Sequence, residues 1–565
     1  MFNIIGFYSY EKLDHKIVRK IRIVFEKKAS YVRYIVFQQN HLFLDFQTLL
    51  NNEAKDFYYI NKKKEAACFI RGNIFAFEDT KKEFLFEKNK AEFILAQEKK
   101  YGFSFIKNLR GEFNVILIEG SIVYLLNDRL GLSPMYIYPK REGVYFCNHP
   151  EPLIWLHKDN RTDYASIAEF LIYGFVPQGK SFIQNLTNQS PGTIVKLDKK
   201  NIKIKKYLIF QPAQTKKFTR PQKLRLLKKT FHEAVMLRAQ QKECHASVSG
   251  GWDTRFNLAH LLELKKKPLI FTLKDRKEDV VIAQKITKAL GLEHILHTSA
   301  HLFSPLESVK RSLRFKLEKE VPDIYETKRP AADIISFITT PRFEGIFGTE
   351  LFGHAPEDFV KKITSKFNNI ASRIFKTNFL ASVSNGKSRK LLTDIKSLHL
   401  SDNVPYTFLT QVGRTYLNIF YTSGWQRPTR FFSYLFLNPF VDSAFVSLLC
   451  SLKYPDDFYY KTYQEIYERY FPKFLKFPWT FSRYRLKNNL LKKDFKRKVP
   501  WTRQRQYYLD LMKEDKKFRN FLLRNKITKK NKESILPYLK ELYFVHRWFE
   551  TYQGVLKEDK FQLPL

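Results

Sequence analysis

Four cysteines in 565 residues, Cys68, Cys147, Cys244 and Cys450, stand far apart with no paired spacing. That scarcity excludes a zinc knuckle and a disulfide framework. No uninterrupted apolar run approaches the roughly 18 residues that a membrane-spanning helix needs. The opening "MFNIIGFYSYEKLD" lacks a basic leader, so no secretory signal is read there. The expectation is a soluble, cytoplasmic protein without a membrane span. Acid is also scarce: 56 Asp and Glu face 99 Lys and Arg, for a formal net charge of +43. Such an excess favours anionic partners. Lysine is nevertheless spread along the whole chain with Asn, Ile, Phe and Tyr, as an AT-biased coding sequence would produce. Only residues 481–530 concentrate it, with 18 Lys or Arg against four Asp or Glu.

What is present is apolar mass, 44% of the residues, with 53 Phe and 31 Tyr. A chain this long exceeds one compact core, so two or more domains are expected. Residues 1–208 read as short strands broken by turns: "NIIGFYSY", "AACFIRGNIFAF" at 66–77, and "GEFNVILIEGSIVYLLNDRLGLSPMYIY" at 111–138, a hairpin turning at Glu119-Gly120. A helix is expected over 164–174, and two strands flank the lysine-rich turn in "SPGTIVKLDKKNIKIKKYLIF". Asn127, Asp128 and Arg129 before Gly131 read as a turn held by side-chain hydrogen bonds. No catalytic cluster stands out in this half. Periodicity is lost over 209–221, the expected linker.

From 222 to 480 the texture becomes strand–helix–strand. Leu224, Leu227, Phe231 and Val235 recur at helical spacing. "CHASVSG" reads as a buried strand, and "GWDTRFNLAHLLELKKK" as a helix packing through Phe256, Leu258, Leu261 and Leu262. "PLIFTL", "KEDVVIAQKITKALG" and "HILHTSA" continue the alternation, which predicts a parallel α/β sheet. Ser249, Gly250 and Gly251 fall between strand and helix, where backbone N–H groups are expected unpaired and facing outward. Missing side chains at the glycines let an anion approach, and Ser249 and Thr254 add hydroxyls. Asp253 suits a phosphate only through a cation, which points to Mg²⁺. The competing reading is a plain strand–helix turn with Asp253 as a cap. The loop has neither Walker nor dinucleotide spacing.

"SVSGGWDTR" resembles the Ser-Gly-Gly-x-Asp-Ser/Thr loop of the N-type ATP pyrophosphatases, specifically the asparagine synthetase family. Four further stretches agree in order: "LRGEFNVILIEGSIVYLLNDRLGLSPMYIY", "FLIYGFVPQGKSFIQNLTNQSPGTIVKL", "FTLKDRKEDVVIAQKITKALGLEHILH" and "NPFVDSAFVSLLCSLKYPDD". The resemblance covers about residues 1–480. It implies an α+β layered N-terminal domain, an Ntn-hydrolase-like sandwich of the glutamine amidotransferase type. An α/β parallel-sheet domain of the adenine nucleotide α-hydrolase type would follow. It also implies ATP and Mg²⁺: Ser249, Gly250, Gly251, Asp253 and Thr254 on the phosphates, Asp253 on the metal, and adenine near Phe271 and Leu273. The activity implied is formation of an amide from a small-molecule or peptide carboxylate, as acyl-adenylate, and ammonia or an amine.

The departures are as informative. Glutamine-dependent members carry a nucleophilic cysteine after the initiator Met, where this chain has Phe2. Phenylalanine cannot hold a thioester. The family's Asn-Gly-Glu triplet becomes Arg71-Gly72-Asn73, so no glutaminase is expected, and Cys68 reads as a buried thiol. In "EGIFGTELFGH", Gly345, Glu350, Leu351, Phe352 and Gly353 fit the family. Ile346 replaces its glutamate and Thr349 its metal-binding aspartate. Glu344 or Glu350 would have to compensate as the catalytic carboxylate. The late lysine is displaced, leaving Lys476 or Arg483 to face departing pyrophosphate. Three readings stay open: an amide-forming ligase, like relatives that act in β-lactam formation and lasso peptide cyclisation; a nucleotide-binding protein without amide chemistry; or a protein with an unrelated task, including RNA association. Residues 481–565 form a basic, helical extension. Its aromatic and basic residues over 481–530 suit weak polyanion binding. The alternative is amphipathic helices packed on the synthetase-like domain, and "ILPYLKELYFVHRWFETYQ" reads as a packed closing helix.

Overall fold

A computed structural model describes residues 2–26, 33–48, 56–79, 82–84, 89–164, 166–167, 170, 176, 179–199, 201–208, 213, 217–240, 244–273, 277–297, 342–343, 345, 436–449, 451, 460–478, 515–524 and 539–557. Most of the helix expected at 164–174 lies outside them, as does most of the basic stretch 481–530.

The first domain is made of β1 (Phe2–Ser9), α1 (His15–Glu26), β2 (Arg33–Gln38), β3 (Leu42–Thr48), β4 (Tyr58–Ile60), β5 (Ala66–Asp79), β6 (Lys82–Phe84), α2 (Lys90–Tyr101), β7 (Leu109–Glu119), β8 (Ile122–Asn127), β9 (Tyr136–Lys140), β10 (Gly143–Cys147), α3 (Pro150–Trp155), β11 (Thr187–Asn188), β12 (Thr193–Asp198) and β13 (Asn201–Lys206). Its strands form two sheets, β11-β9-β10-β1-β3-β2 and β13-β12-β8-β7-β5-β4, with β6 beside β5. All their pairings are antiparallel. Short β-branched and aromatic strands joined by tight turns give this arrangement. The turn at Gly120, with φ +57°, is the hairpin the sequence predicts. The sheets share one core in which Phe69 of β5 meets Phe37 and Phe46 from the other layer, with ring centroids 6.0 and 5.5 Å apart. Cys68 lies in that core, its thiol pushed up by burial.

The second domain contains α4 (Arg220–Arg238), β14 (His245–Ser247), α5 (Trp252–Glu263), β15 (Leu269–Leu273), α6 (Lys277–Leu290), β16 (His294–His297), β17 (Arg342–Phe343), β18 (Phe436–Leu437), α7 (Ser443–Leu449) and α8 (Tyr460–Tyr470). Helix α4 starts at a capping box in which Thr219 and Gln222 exchange side-chain and backbone hydrogen bonds. Leu224, Leu227, Phe231 and Val235 of α4 are buried in one cluster with Phe256, Leu258 and Leu261 of α5, as helical spacing predicts. The sheet is parallel, in the order β16-β15-β14-β17-β18. The chain therefore runs outward from β14 through β15 and β16, then returns to lay β17 on the other side of β14. That reversal makes the carboxyl end of β14 a topological switch point, where open α/β sheets hold ligands.

Charge joins the two domains. Arg110 and Glu112 sit two residues apart on β7 and so share one face. Arg110 donates to Asp442 at 2.8 Å; Arg238, in the last turn of α4, donates to Asp442 at 3.0 Å and to Glu112 at 3.2 Å. All four side chains are buried, and Arg238 also lies 4.4 Å from the ring centroid of Phe75. Asp442 caps α7 through the N–H of Ala444. Beside this quartet, Asp128 accepts the N–H groups of Leu130, Leu132 and Ser133. The turn read from the sequence is thus fixed so that Leu130 and Leu132 enter the second domain's core.

Helices α9 (Lys516–Arg524) and α10 (Leu539–Tyr552) complete the described chain. Helix α10 returns to the first domain: Tyr552 meets Trp155 at 5.5 Å and Trp548 meets Phe182 at 5.2 Å between ring centroids. Buried Asn160 donates to the carbonyl of Val555 at 3.0 Å. The closing helix is packed as expected, with the first domain as a partner. No helix among the described residues is long and apolar enough to cross a membrane.

The quartet's two acids differ in character. Burial lifts the Glu112 carboxyl to about 7 against the pull of Arg238. Burial would also raise Asp442, but Arg110 and Arg238 outweigh it and hold that carboxyl below its usual range. Asp442→Ala strands two buried guanidiniums and should cost about 3–5 kcal/mol in urea unfolding. Glu112→Gln keeps an acceptor for Arg238 and should cost about 1 kcal/mol or less near pH 4.5, where the parent carboxyl is protonated as the amide mimics. Folded Glu112 retains a proton that the unfolded chain releases, so its contribution to stability declines as pH rises from about 4.5 to about 7. The slope approaches about 1.4 kcal/mol per pH unit. The stability gap between parent and Glu112→Gln should move in the variant's favour across that window, and a constant gap would refute the assignment.

Candidate functional site

The glycine loop occupies the switch point. The N–H of Val248 still donates to Phe271 of β15 at 2.9 Å, and the chain then leaves the sheet through Ser249, Gly250 and Gly251. Gly251 is the extended N-cap residue of α5 and supplies no side-chain cap. The sequence reading leaves these N–H groups unpaired, and here the structure differs. Ser249 N–H donates to Thr254 Oγ1 at 3.1 Å, Gly250 N–H to Asp279 Oδ1 at 2.8 Å, and Gly251 N–H to Ser249 Oγ at 3.1 Å. Two hydroxyls and a carboxylate from the first turn of α6 lie within reach, so the partly buried loop satisfies its donors internally. Asp253 is not the cap of its own helix. Its Oδ1 accepts from the Tyr463 hydroxyl of α8 at 2.8 Å, and Tyr467 OH donates to the Trp252 carbonyl at 2.9 Å.

Behind the loop lies Arg255. Its guanidinium donates to the carbonyls of Gly250 at 3.0 Å and Phe477 at 3.3 Å, and to that of Pro478. Its Nε has no partner among the described residues. Burial lowers its pKa to about 10, against the opposing influence of Tyr467 and Asp279. Among the described residues the hydrogen bonds of this cation go only to carbonyls, while Asp279 bonds the loop at Gly250 N–H and Asp253 stands in the first turn of α5. Oxygen ligands of this kind suit a hard divalent ion. Among the described residues, a Cβ on Gly251 would meet only Ser249 Oγ, at 3.3 Å.

The other predicted positions distribute around this centre. Phe271 is buried one strand away, and Leu273 ends β15. Lys476 is exposed and immediately precedes Phe477, so Arg255 ties its segment to the loop. Gly345, two residues beyond β17, lies against the start of α5, its absent Cβ 2.6 Å from Thr254 N and 2.9 Å from Asp253 C. Glu344, Ile346, Thr349, Glu350 and Arg483 lie outside the described residues. Sequence reasoning missed Arg255, Asp279, Tyr463 and Tyr467. Asp279 stands in the Glu-Asp pair opening α6, the one signal that would have found it.

In the first domain, Phe2 starts β1 opposite Thr48. Arg71 is buried and donates to Asn114 Oδ1 at 3.5 Å, and Asn114 Nδ2 bonds Asn127 and the Ser133 carbonyl. Gly72 has φ +99° and its Cβ would stand 2.1 Å from the Glu112 carbonyl oxygen, so backbone geometry requires glycine there.

Residues 48–208 match the family model described as "Glutamine amidotransferase domain". A curated relative, the glutamine-hydrolysing asparagine synthetase 1 of Bacillus subtilis (strain 168), is 22% identical over 214 residues, which are 36% of this chain and 33% of the relative. The match thus spans about a third of that protein's length. Among solved structures, glutamine phosphoribosylpyrophosphate amidotransferase of B. subtilis with ADP and GMP overlaps at a TM-score of 0.25 and 10% identity, over 52% of this chain and 65% of that one. A structure described as the allosteric regulatory enzyme of purine biosynthesis overlaps at 0.27 and 9%, over 52% and 80%. The chain carries a glutamine-amidotransferase-like domain followed by an α/β domain. Its sequence similarity to the curated asparagine synthetase is weak.

Gly345→Ala tests the contact between the two strand ends. The new methyl would press on backbone of α5, which cannot step aside as a flexible side chain does. Overpacking of this kind should cost about 1–3 kcal/mol in thermal or urea unfolding; a neutral substitution would show that the segment yields freely.

Proposed function

We propose that the protein is an ATP-dependent amide-forming ligase that hydrolyses no glutamine. In this reading the first domain is a degenerate Ntn-hydrolase-like sandwich and the second an adenine nucleotide α-hydrolase-type domain. Ser249, Gly250, Gly251 and Thr254 receive the β and γ phosphates of ATP, whose oxygens would displace the acceptors that the three backbone N–H groups now bond, with adenine against the strand end at Phe271 and Leu273. Asp253, joined by Asp279, would hold Mg²⁺, which would offset polyphosphate charge. A carboxylate oxygen of the substrate attacks the α-phosphorus, the bond to pyrophosphate breaks, and an acyl-adenylate forms. Ammonia or an amine then attacks the acyl carbon and AMP leaves. Lys476 is assigned to the departing pyrophosphate and Glu350 to orienting the amine.

The observation that carries this reading is the glycine loop with Asp253 at the reversal point of the parallel sheet, backed by a buried guanidinium that among the described residues bonds only carbonyls. Phe2, Arg71 and Asn73 support the absence of glutaminase chemistry, because none of them supplies a nucleophile. The purified protein should release pyrophosphate from ATP in the presence of one member of a panel of amino acids and peptides. Asp253→Ala should lower that rate at least ~100-fold, about 2.7 kcal/mol of barrier. Glutamine should yield no glutamate. ATP binding without substrate-dependent release would leave a nucleotide-binding protein, and release indifferent to Asp253→Ala would dismiss this loop as the site.

A further inference from the structure

A second chemical centre lies at the opposite end of α5. His260 and Glu263 are three residues apart on that helix and therefore share a face, and His232 reaches them from α4. Their nearest atoms form a triangle. His232 Nδ1 is 3.2 Å from His260 Nδ1 and 3.2 Å from Glu263 Oε2, and His260 Nδ1 is 3.5 Å from Glu263 Oε2. Hydrogen bonds alone do not account for all three sides. Neutral imidazoles bring at most one proton each to Nδ1, and the carboxylate brings none. If both Nδ1 atoms carry protons, the two N–H groups oppose each other. If one does, the other nitrogen's lone pair faces the carboxylate. A cation at the centre satisfies all three at once. A tetrahedral ion with bonds of about 2.0–2.1 Å to nitrogen and oxygen sets its ligands about 3.3–3.4 Å apart, which is the size of this triangle.

We propose that His232, His260 and Glu263 bind a divalent transition metal ion, of which zinc is the best match, with one coordination position left open. Two imidazoles and one carboxylate are a donor set that suits zinc better than magnesium or calcium. His260 is fully buried among the rings of Phe231, Phe256 and Phe471. Its Nε2 has no hydrogen-bond partner among the described residues, so its polar contacts converge on Nδ1. His232 and Glu263 are 27% and 32% exposed, which gives the ion a route in and the open position access to water. Lys228 Nζ lies 2.8 Å from the same Glu263 oxygen; its ammonium is the local competitor of the metal. The ion would clamp α4 to the helix whose first turn carries the glycine loop. It depends on nothing assumed about ATP.

The test titrates the full chain, first freed of metal with a chelator, with zinc against a chromophoric competitor, and with cobalt to read coordination from visible absorption. One equivalent of zinc should bind, and cobalt should show the intense bands of a four-coordinate site. His232→Gln and Glu263→Gln, at half-exposed positions, should each weaken binding by roughly 100-fold or more, beyond the ~10–100-fold that loss of a supporting residue costs. Lys228→Met should tighten it. Zinc should raise the melting temperature of the parent and leave that of His232→Gln unmoved. Absence of stoichiometric binding, octahedral cobalt spectra, or unchanged affinity in both ligand variants would each overturn the proposal. Circular dichroism of the metal-free variants keeps loss of the site separate from loss of the fold.

Discussion

The buried quartet of Arg110, Glu112, Arg238 and Asp442 is the constraint on which the rest of the molecule depends. Each member stands near the end of an element: Arg110 and Glu112 near the start of β7, Arg238 at the close of α4, and Asp442 as the cap of α7. Buried charges tolerate little displacement, because a lost partner leaves an ion without solvent to compensate it. The quartet therefore sets the position of α4 against the first domain. Helix α4 packs on α5 through Phe231 and Phe256, ring centroids 4.5 Å apart, and α5 holds the glycine loop at its start. A line of rigid contacts runs from the seam between domains to the candidate site.

This explains why the amidotransferase-like domain is an integral part of the architecture. Leu130 and Leu132 are members of the second domain's core cluster although they belong to the first domain's chain. Asp128 holds them there by accepting three backbone N–H groups while buried, at the expense of a carboxyl raised by burial to about 6. Removing the first domain would expose apolar surface and unpair charge on the second. The amidotransferase-like layer thus has a structural task independent of any chemistry it performs.

Much of this was legible in the sequence, for identifiable reasons. The periods at Leu224, Leu227, Phe231 and Val235 and the strand–helix alternation around Gly250 report local burial, which repeats along the chain and needs no partner to be seen. The turn at Asp128 was readable because acid, arginine and glycine stand together. Long-range pairing left no such trace. Arg110, Glu112 and Asn114 look like ordinary polar positions in a strand until the partners, more than a hundred residues away for Arg110 and Glu112, are known. Arg255 differs in sequence from no other helical arginine, and nothing near Tyr463 or Tyr467 in the chain points to Asp253 or Trp252, 210 and 215 residues away. His232 and His260 are separated by a strand and a loop, so neither spacing nor periodicity connects them. Glu350 could be assigned only by resemblance.

The return of α10 to the first domain changes how the molecule comes apart. Asn160 fixes the carbonyl of Val555, 395 residues further along the chain, while the charged seam joins the same domain to the middle of the polypeptide. The two attachments act in parallel. When the seam opens, the clamp at Asn160 keeps the separated faces tethered, and when the clamp opens the seam does the same. Each then re-forms as an intramolecular event, at an effective concentration set by the other rather than by diffusion through solution. A protease cut between the domains would leave two fragments still held by both attachments, so a nicked chain should migrate as one particle until denatured.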